Sequence, residues 1–204
     1  MKLPSEEECF KLMDCYCLPQ NIREHCLLVA KVAKLIALKH LEGGNKVNIH
    51  LVYSSSLLHD LAKPIEFSEY TGLNPECEKL WKDLKKSYNN STHSEVGYLF
   101  LKKDFPGVAQ IIRKHDYMAL ISKDVNERPT KIEEKIVNYA DKRVSHGKVV
   151  SLQQRFKEGF KRWHKEKNYD IKIAKIINEK YFELERELFF DIPLEPHEVI
   201  ELID

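Results

Sequence analysis

Leu57-Leu58-His59-Asp60-Leu61-Ala62-Lys63 sets a His-Asp doublet inside an apolar, helix-like run, and the rest of the chain takes its meaning from it. Other possible metal ligands stand at wide intervals around the doublet: His25 before it, and His93, His115 and Asp141 after it. Imidazoles and carboxylates suit a divalent ion that keeps positions open for water and substrate, whereas a thiolate-rich set suits a closed structural site. The ordered series His25, His59-Asp60, His93, His115, Asp141 therefore points to hydrolytic metal chemistry.

Outward from the doublet, nearly every segment reads as helix. The run that holds it spans about 48–62 and stops at Lys63-Pro64, because the residue before a proline avoids the helical region. Upstream, Ser5-Glu6-Glu7-Glu8 has the form of a capping box, Pro19 breaks the first helix, and Asn21 is placed to cap a second that ends at Gly43-Gly44. Downstream, 67–74 reads as a loop, and Asn74-Pro75 starts a short helix. Ser91 or Thr92 caps a helix ending before Pro106, and another short one leads to His115-Asp116. Residues 122–130 read as an exposed loop, and a helix over about 131–146 follows. Two amphipathic helices fill about 151–167 and 171–188, before a break at Asp191-Ile192-Pro193-Leu194. No alternation is long enough to build a sheet. The expectation is an all-α bundle forming a single domain over 1–204, with a core at about 20–150 and helical extensions at both ends.

Residues i, i+3, i+4 and i+7 share one face of a helix. His25 thus lies on the apolar stripe of Val29, Val32, Ala33 and Ile36. His59 shares its side with Ser55, Ser56 and Lys63, and Asp60 points about 100° away, so the doublet addresses a cleft from two directions. Asp141 follows Ile136-Val137-Asn138-Tyr139-Ala140, where a buried charge needs an ion or a strong network. Each residue alone has an ordinary structural reading: a satisfied core histidine, a cap, or a carboxylate paired with Lys142 or Arg143. Several costly burials together are what an ion-binding centre explains. His40, His50, His164 and His197 read as surface residues, and His146 as a residue near the cleft but off the face of Asp141.

Composition bounds the alternatives. Hydrophobic residues at 43% and charged residues at 32% fit a globular chain of 204 residues, and only 7 Gly and 8 Pro argue against a turn-rich β-sandwich. Thirty-three Lys+Arg against 32 Asp+Glu leave a net charge of +1, so no global field recruits nucleic acid. The basic run at 161–167 reads as a solvated helix face, with RNA binding the minor reading. No apolar run approaches a membrane span or a signal core, so a cytoplasmic location is expected. Five cysteines, an odd number, then fit reduced thiols better than a disulfide framework. Cys15-Tyr16-Cys17 has no second cysteine pair to complete a zinc site.

The pattern resembles the HD-domain superfamily of metal-dependent phosphohydrolases, in its two-metal branch, over about 21–150. His25 matches the first histidine, His59-Asp60 the doublet, His93 and His115 the histidines of the extended site, and Asp141 the terminal aspartate. The resemblance implies that these six residues hold two divalent ions (iron or manganese foremost, with magnesium, cobalt and nickel compatible). Asp60 would bridge the ions, and a hydroxide would attack phosphorus. Lys63 matches the lysine often found three residues after the doublet; as a catalytic and substrate-binding cation it would neutralise a phosphate, with Arg143 the second candidate. The implied substrate is a small phosphorylated molecule, a phosphate ester or anhydride of the nucleotide or dinucleotide type. The alternative is a regulatory module that binds a nucleotide without turnover. The run is Leu-Ala-Lys rather than Ile-Gly after the doublet, and no Gly-Tyr-Pro signature appears. The chain is thus similar to the small HD hydrolases of dinucleoside polyphosphates rather than to cyclic-dinucleotide phosphodiesterases.

Overall fold

The computed structural model describes residues 2–164 and 170–203. It is all-α apart from one small hairpin: α1 (Glu6–Cys15), α2 (Gln20–Glu42), α3 (Ile49–Leu58), α4 (Pro75–Ser87), α5 (His93–Leu101), α6 (Pro106–Arg113), α7 (Ile132–Lys142), β1 (Val144–Ser145), β2 (Lys148–Val149), α8 (Leu152–Trp163), α9 (Ile171–Phe189) and α10 (Glu198–Ile203). Short 3-10 turns occupy Lys63–Glu66, Tyr117–Ile121 and Val125–Glu127. Among the described residues, no helix is long and apolar enough to cross a membrane.

Helix α3 is central because it has no polar face to offer water. Residues 54–60 are all buried, the expected fate of a helix that is apolar nearly all round. Two of its three serines are satisfied within the helix, Ser54 Oγ donating to His50 O at 2.8 Å and Ser56 Oγ to Val52 O at 2.9 Å, while Ser55 Oγ is buried without a partner. On one side, Val52 joins a cluster with Val29, Val32 and Ile36 of α2, Ile136, Val137 and Ala140 of α7, and Ile177, Tyr181 and Leu184 of α9. On the other, Leu57, Leu58 and Leu61 pack with Cys9 and Met13 of α1, Leu101 of α5 and Ile112 of α6.

Close approach of α5 to α6 depends on Gly97. A Cβ there would lie 2.9 Å from Ile112 Cγ2. Alanine gains about 1 kcal/mol in helix propensity but overpacks the contact, which costs roughly 1–3 kcal/mol. Gly97→Ala is therefore expected to lower the melting temperature by about 2–4 °C per kcal/mol of net loss. A thermal melt that is unchanged or raised would show that the helices have room to separate.

Several sequence expectations need correction. Pro19, not Asn21, holds the cap position of α2. Helix α3 ends at Leu58, and residues 59–62 form a turn in which Leu61 N bonds to Leu58 O and Lys63 N to Asp60 O. Helix α7 ends at Lys142 rather than near 146, because the chain reverses there into the β1–β2 hairpin, with His146 (φ 50°) and Gly147 (φ 72°) at its turn. His40 is buried, not exposed; it lies on the inner stripe of α2 with Nδ1 3.3 Å from Asn45 Nδ2.

The thiols also differ from expectation. Cys17, just beyond α1, is disulfide-bonded to Cys77 in the first turn of α4, leaving Cys9, Cys15 and Cys26 free. The two partners are 60 residues apart in sequence, so only folding could reveal that they meet. Within the basic run at 161–167, Lys165 and Lys167 lie outside the described residues.

Candidate metal centre

Five parts of the chain deliver the six residues. His25 comes from the second turn of α2, His59 and Asp60 from the turn closing α3, His93 from the first position of α5, His115 from just beyond α6, and Asp141 from the last turn of α7. Thr92 and Glu95 form a capping box that fixes the start of α5 and hence the position of His93. Helix α7 holds the segment bearing His115: Asn138 Nδ2 donates to Lys114 O at 2.8 Å, and Lys142 Nζ to His115 O at 3.2 Å.

Around Asp60 the residues fall into two groups. Its Oδ2 faces His59 Nε2 at 3.6 Å and His25 Nε2 at 3.9 Å. Its Oδ1 faces His93 Nε2 at 3.2 Å and His115 Nε2 at 3.6 Å. Asp141 completes the first group, with Oδ1 3.0 Å from His25 Nε2 and 3.5 Å from His59 Nε2. In the second, the Nε2 atoms of His93 and His115 are 3.0 Å apart.

The Nδ1 atoms of His59, His93 and His115 are already committed. His59 Nδ1 is 2.7 Å from Ser56 O, and His115 Nδ1 is 2.6 Å from Ile112 O. A carbonyl accepts only, so these Nδ1 atoms carry hydrogen and the Nε2 atoms can present lone pairs to the centre. His93 Nδ1 pairs with Glu66, whose Oε1 also accepts from His93 N at 3.1 Å. His59 Nε2 is buried with no hydrogen-bond partner. An orphaned, correctly oriented imidazole nitrogen between two buried carboxylates fits a divalent cation. Two sets, His25/His59/Asp141 and His59/Asp60/His115, each bring their ligand atoms within 4.8 Å of one another.

Electrostatics agree with that fit. Burial works against the charge of Asp60 and Asp141, yet Asp60's histidines, and for Asp141 Lys142 with His25 and His59, hold both well below the usual carboxylate range. Burial likewise opposes charge on His59 and His93. Asp60 nevertheless raises both, helped at His59 by Cys26 and Asp141 and at His93 by Glu66. Burial keeps His115 below the ordinary value. Raised histidines hold protons above the ordinary pKa of 6.5, and a protonated imidazole cannot ligate. Ion uptake by stripped protein should thus release protons, and affinity should continue to rise with pH above 6.5. Competitive metal titrations across pH 6–9 check this; a flat profile above 6.5 would contradict it.

The centre opens into a cavity of about 400 Å³ that Lys63, Lys142 and Arg155 also line. Lys63 Nζ donates to Glu66 Oε2 at 2.8 Å and is 3.5 Å from His93 Nδ1. Lys142, buried beside Asp141, carries its Nζ 4.0 Å over the Tyr117 ring. His146 also lines the cavity, from the hairpin turn. Arg143 does not. Its guanidinium donates to Val150 O at 2.6 Å, to Pro196 O at 2.9 Å and to Tyr139 Oη, so it ties the hairpin and C-terminal segment to α7 and has no donors facing phosphate. Glu66 and Arg155 have no place in the sequence reading, and Lys142 enters it only as a possible partner of Asp141, a pairing the structure contains. Lys142 had its adjacency to Asp141 as a signal; Arg155 had none, because it arrives from α8.

Glu66 orients His93 from outside the centre, and groups in that role typically carry 10–100-fold in metal affinity. Glu66→Gln should weaken the group containing His93 by about that factor in a metal titration, and unchanged affinity would leave Glu66 only a partner of Lys63.

Residues 22–144 match the family model for the HD domain. Comparison with curated proteins and with solved structures finds no match. The family match covers more than half of the chain and spans all six residues of the centre, and the chain therefore belongs to the HD-domain family.

Proposed function

We propose that this chain is a two-metal phosphohydrolase that cleaves a phosphate ester or anhydride of a nucleotide or dinucleotide-type substrate. The observation that carries the reading is the two-sided environment of Asp60, with His25 and His59 at Oδ2 and His93 and His115 at Oδ1. His25, His59, Asp60 and Asp141 would hold one ion, and His93, His115 and the other oxygen of Asp60 the second. Divalent ions so placed supply Lewis acidity, lowering the pKa of water and offsetting charge on phosphoryl oxygens. An imidazole-rich set favours iron or manganese over magnesium.

The chain's own residues do the rest. Lys63 and Lys142 both line the cavity, Lys142 from its buried position beside Asp141, and place positive charge where a phosphate would lose its hydration. Arg155 adds a planar fork from the far wall, its Nη1 3.1 Å from Ser145 Oγ. Asp60 and Asp141, held ionised, are the acceptors toward which an attacking water would orient its protons. The helices after 150 belong to the same domain in this reading, since Ile177, Tyr181 and Leu184 share a core with α2 and α7.

Metal analysis of purified protein, followed by phosphate release from a panel of nucleotides and dinucleotides, tests the reading. About two equivalents of iron or manganese and turnover of a panel member are expected. His93→Ala and His115→Ala should each lose one ion while retaining the other. Full activity of both variants with a single ion would reduce the site to His25, His59, Asp60 and Asp141. Tight nucleotide binding by metal-free protein without turnover would instead favour a regulatory module.

A further inference from the structure

A second pocket, of about 190 Å³, adjoins the metal centre and shares Tyr117 and Arg155 with it. Its walls are otherwise apolar, from Phe156, Ala174 and Ile177, with the amide of Asn178 at one edge. All but Tyr117 come from α8 and α9, beyond the residues that match the family model. The metal cavity is lined mainly by carboxylates, imidazoles and cations, with Ile22 and Val144 at its wall; this neighbour is lined mainly by apolar side chains.

We infer that this pocket is the specificity subsite of the phosphohydrolase, and that it takes a planar, hydrogen-bonding ring attached to the phosphate. The inference rests on the proposed hydrolytic function for its anchor at the metal centre. Three features favour a ring. Tyr117 and Phe156 are fixed by one buried partner, Tyr181, at centroid distances of 5.6 and 5.7 Å, so the aromatic walls are rigid. Rigid aromatic walls reward a flat ligand, because stacking needs parallel contact area rather than adaptable packing. The Tyr117 ring is also held against Lys142 Nζ, which ties the subsite to the cation beside Asp141. Finally, Arg155 Nε sits 3.2 Å from Tyr117 Oη while its Nη1 reaches Ser145 Oγ. One guanidinium thus borders both cavities, where the bond between phosphate and ring carrier would pass. Asn178 supplies a donor and an acceptor for a ring edge, which an alkyl chain would leave unpaired. Together the two cavities fall in the ~300–1,000 Å³ range of small-molecule sites.

The test compares binding of three hydrolysis-resistant phosphonates to metal-loaded protein by calorimetry: the methylenephosphonate analogues of adenosine monophosphate, ribose 5-phosphate and hexyl phosphate. The adenosine analogue should bind at least tenfold more tightly than either of the others. Ala174→Leu, which fills the pocket without removing an aromatic wall, should erase most of that advantage, with the melting curve reporting that the variant folds. Equal binding of all three, or a preference that survives Ala174→Leu, would overturn the subsite. So would a preference for the hexyl compound, which would make the pocket an alkyl site, or a dimer dissociated by Ala174→Leu, which would assign it to a second copy. Ring-dependent binding in a protein that hydrolyses no phosphate would leave the subsite standing and remove the proposed hydrolysis. Phosphate release without ring preference would do the reverse.

Discussion

Asp60→Ala is expected to remove phosphate release and strip the centre of metal while leaving the helices in place. Both oxygens of Asp60 are in use, Oδ1 toward His93 and His115 and Oδ2 toward His59 and His25. No other carboxylate among the described residues has that position, since of the four histidines Asp141 reaches only His25 and His59. The loss should exceed the ~10–100-fold typical of groups that merely support a ligand. The fold should persist, because His59 and His115 are anchored through Nδ1 to the backbone and His93 to Glu66, none of which involves Asp60. Circular dichroism, metal content and phosphate release, measured together on one preparation, check the expectation. A variant with native helicity that keeps both its metal and its turnover would sink the role given to Asp60.

Removal of metal should have the largest effect on stability. The centre buries two carboxylates, Asp60 and Asp141, against four imidazoles and Lys142. An ion that binds only the folded state stabilises it by about 2.7 kcal/mol at one hundred times its dissociation constant and about 4.1 at one thousand times. For a chain of this size each kcal/mol moves the melting temperature by roughly 2–4 °C. A chelator should therefore lower it by on the order of 5–15 °C, and restoring manganese or iron should recover it. Coincident melts with and without the ion would mean that the histidines and aspartates form a self-sufficient polar network.

Much of this was readable in the chain because the signals were local. The capping box at Ser5, Thr92 as one of the two residues expected to cap α5, and the Asn74-Pro75 start appear where expected, since a cap is settled within four residues. The errors arose where distant contacts override local preference. The helix after Lys131 was extended too far because residues 143–146 offer no breaker before Gly147; the hairpin forms there because Val144 and Val149 both bury against the core. Arg143 reads as a phosphate ligand by its position near Asp141, yet two residues of helix turn a side chain by about 200°, and this one faces Pro196 and Val150.

The helical architecture and the order of the six residues follow from the chain alone, because periodicity, caps and residue chemistry are written in short stretches. How those residues group depends on the packing of distant helices. The two-sided environment of Asp60, the Cys17–Cys77 bond, and the arrival of Arg155 and Tyr117 beside Lys142 all join residues far apart along the chain. Such meetings are fixed by how helices pack, and packing depends on every buried side chain at once rather than on any segment.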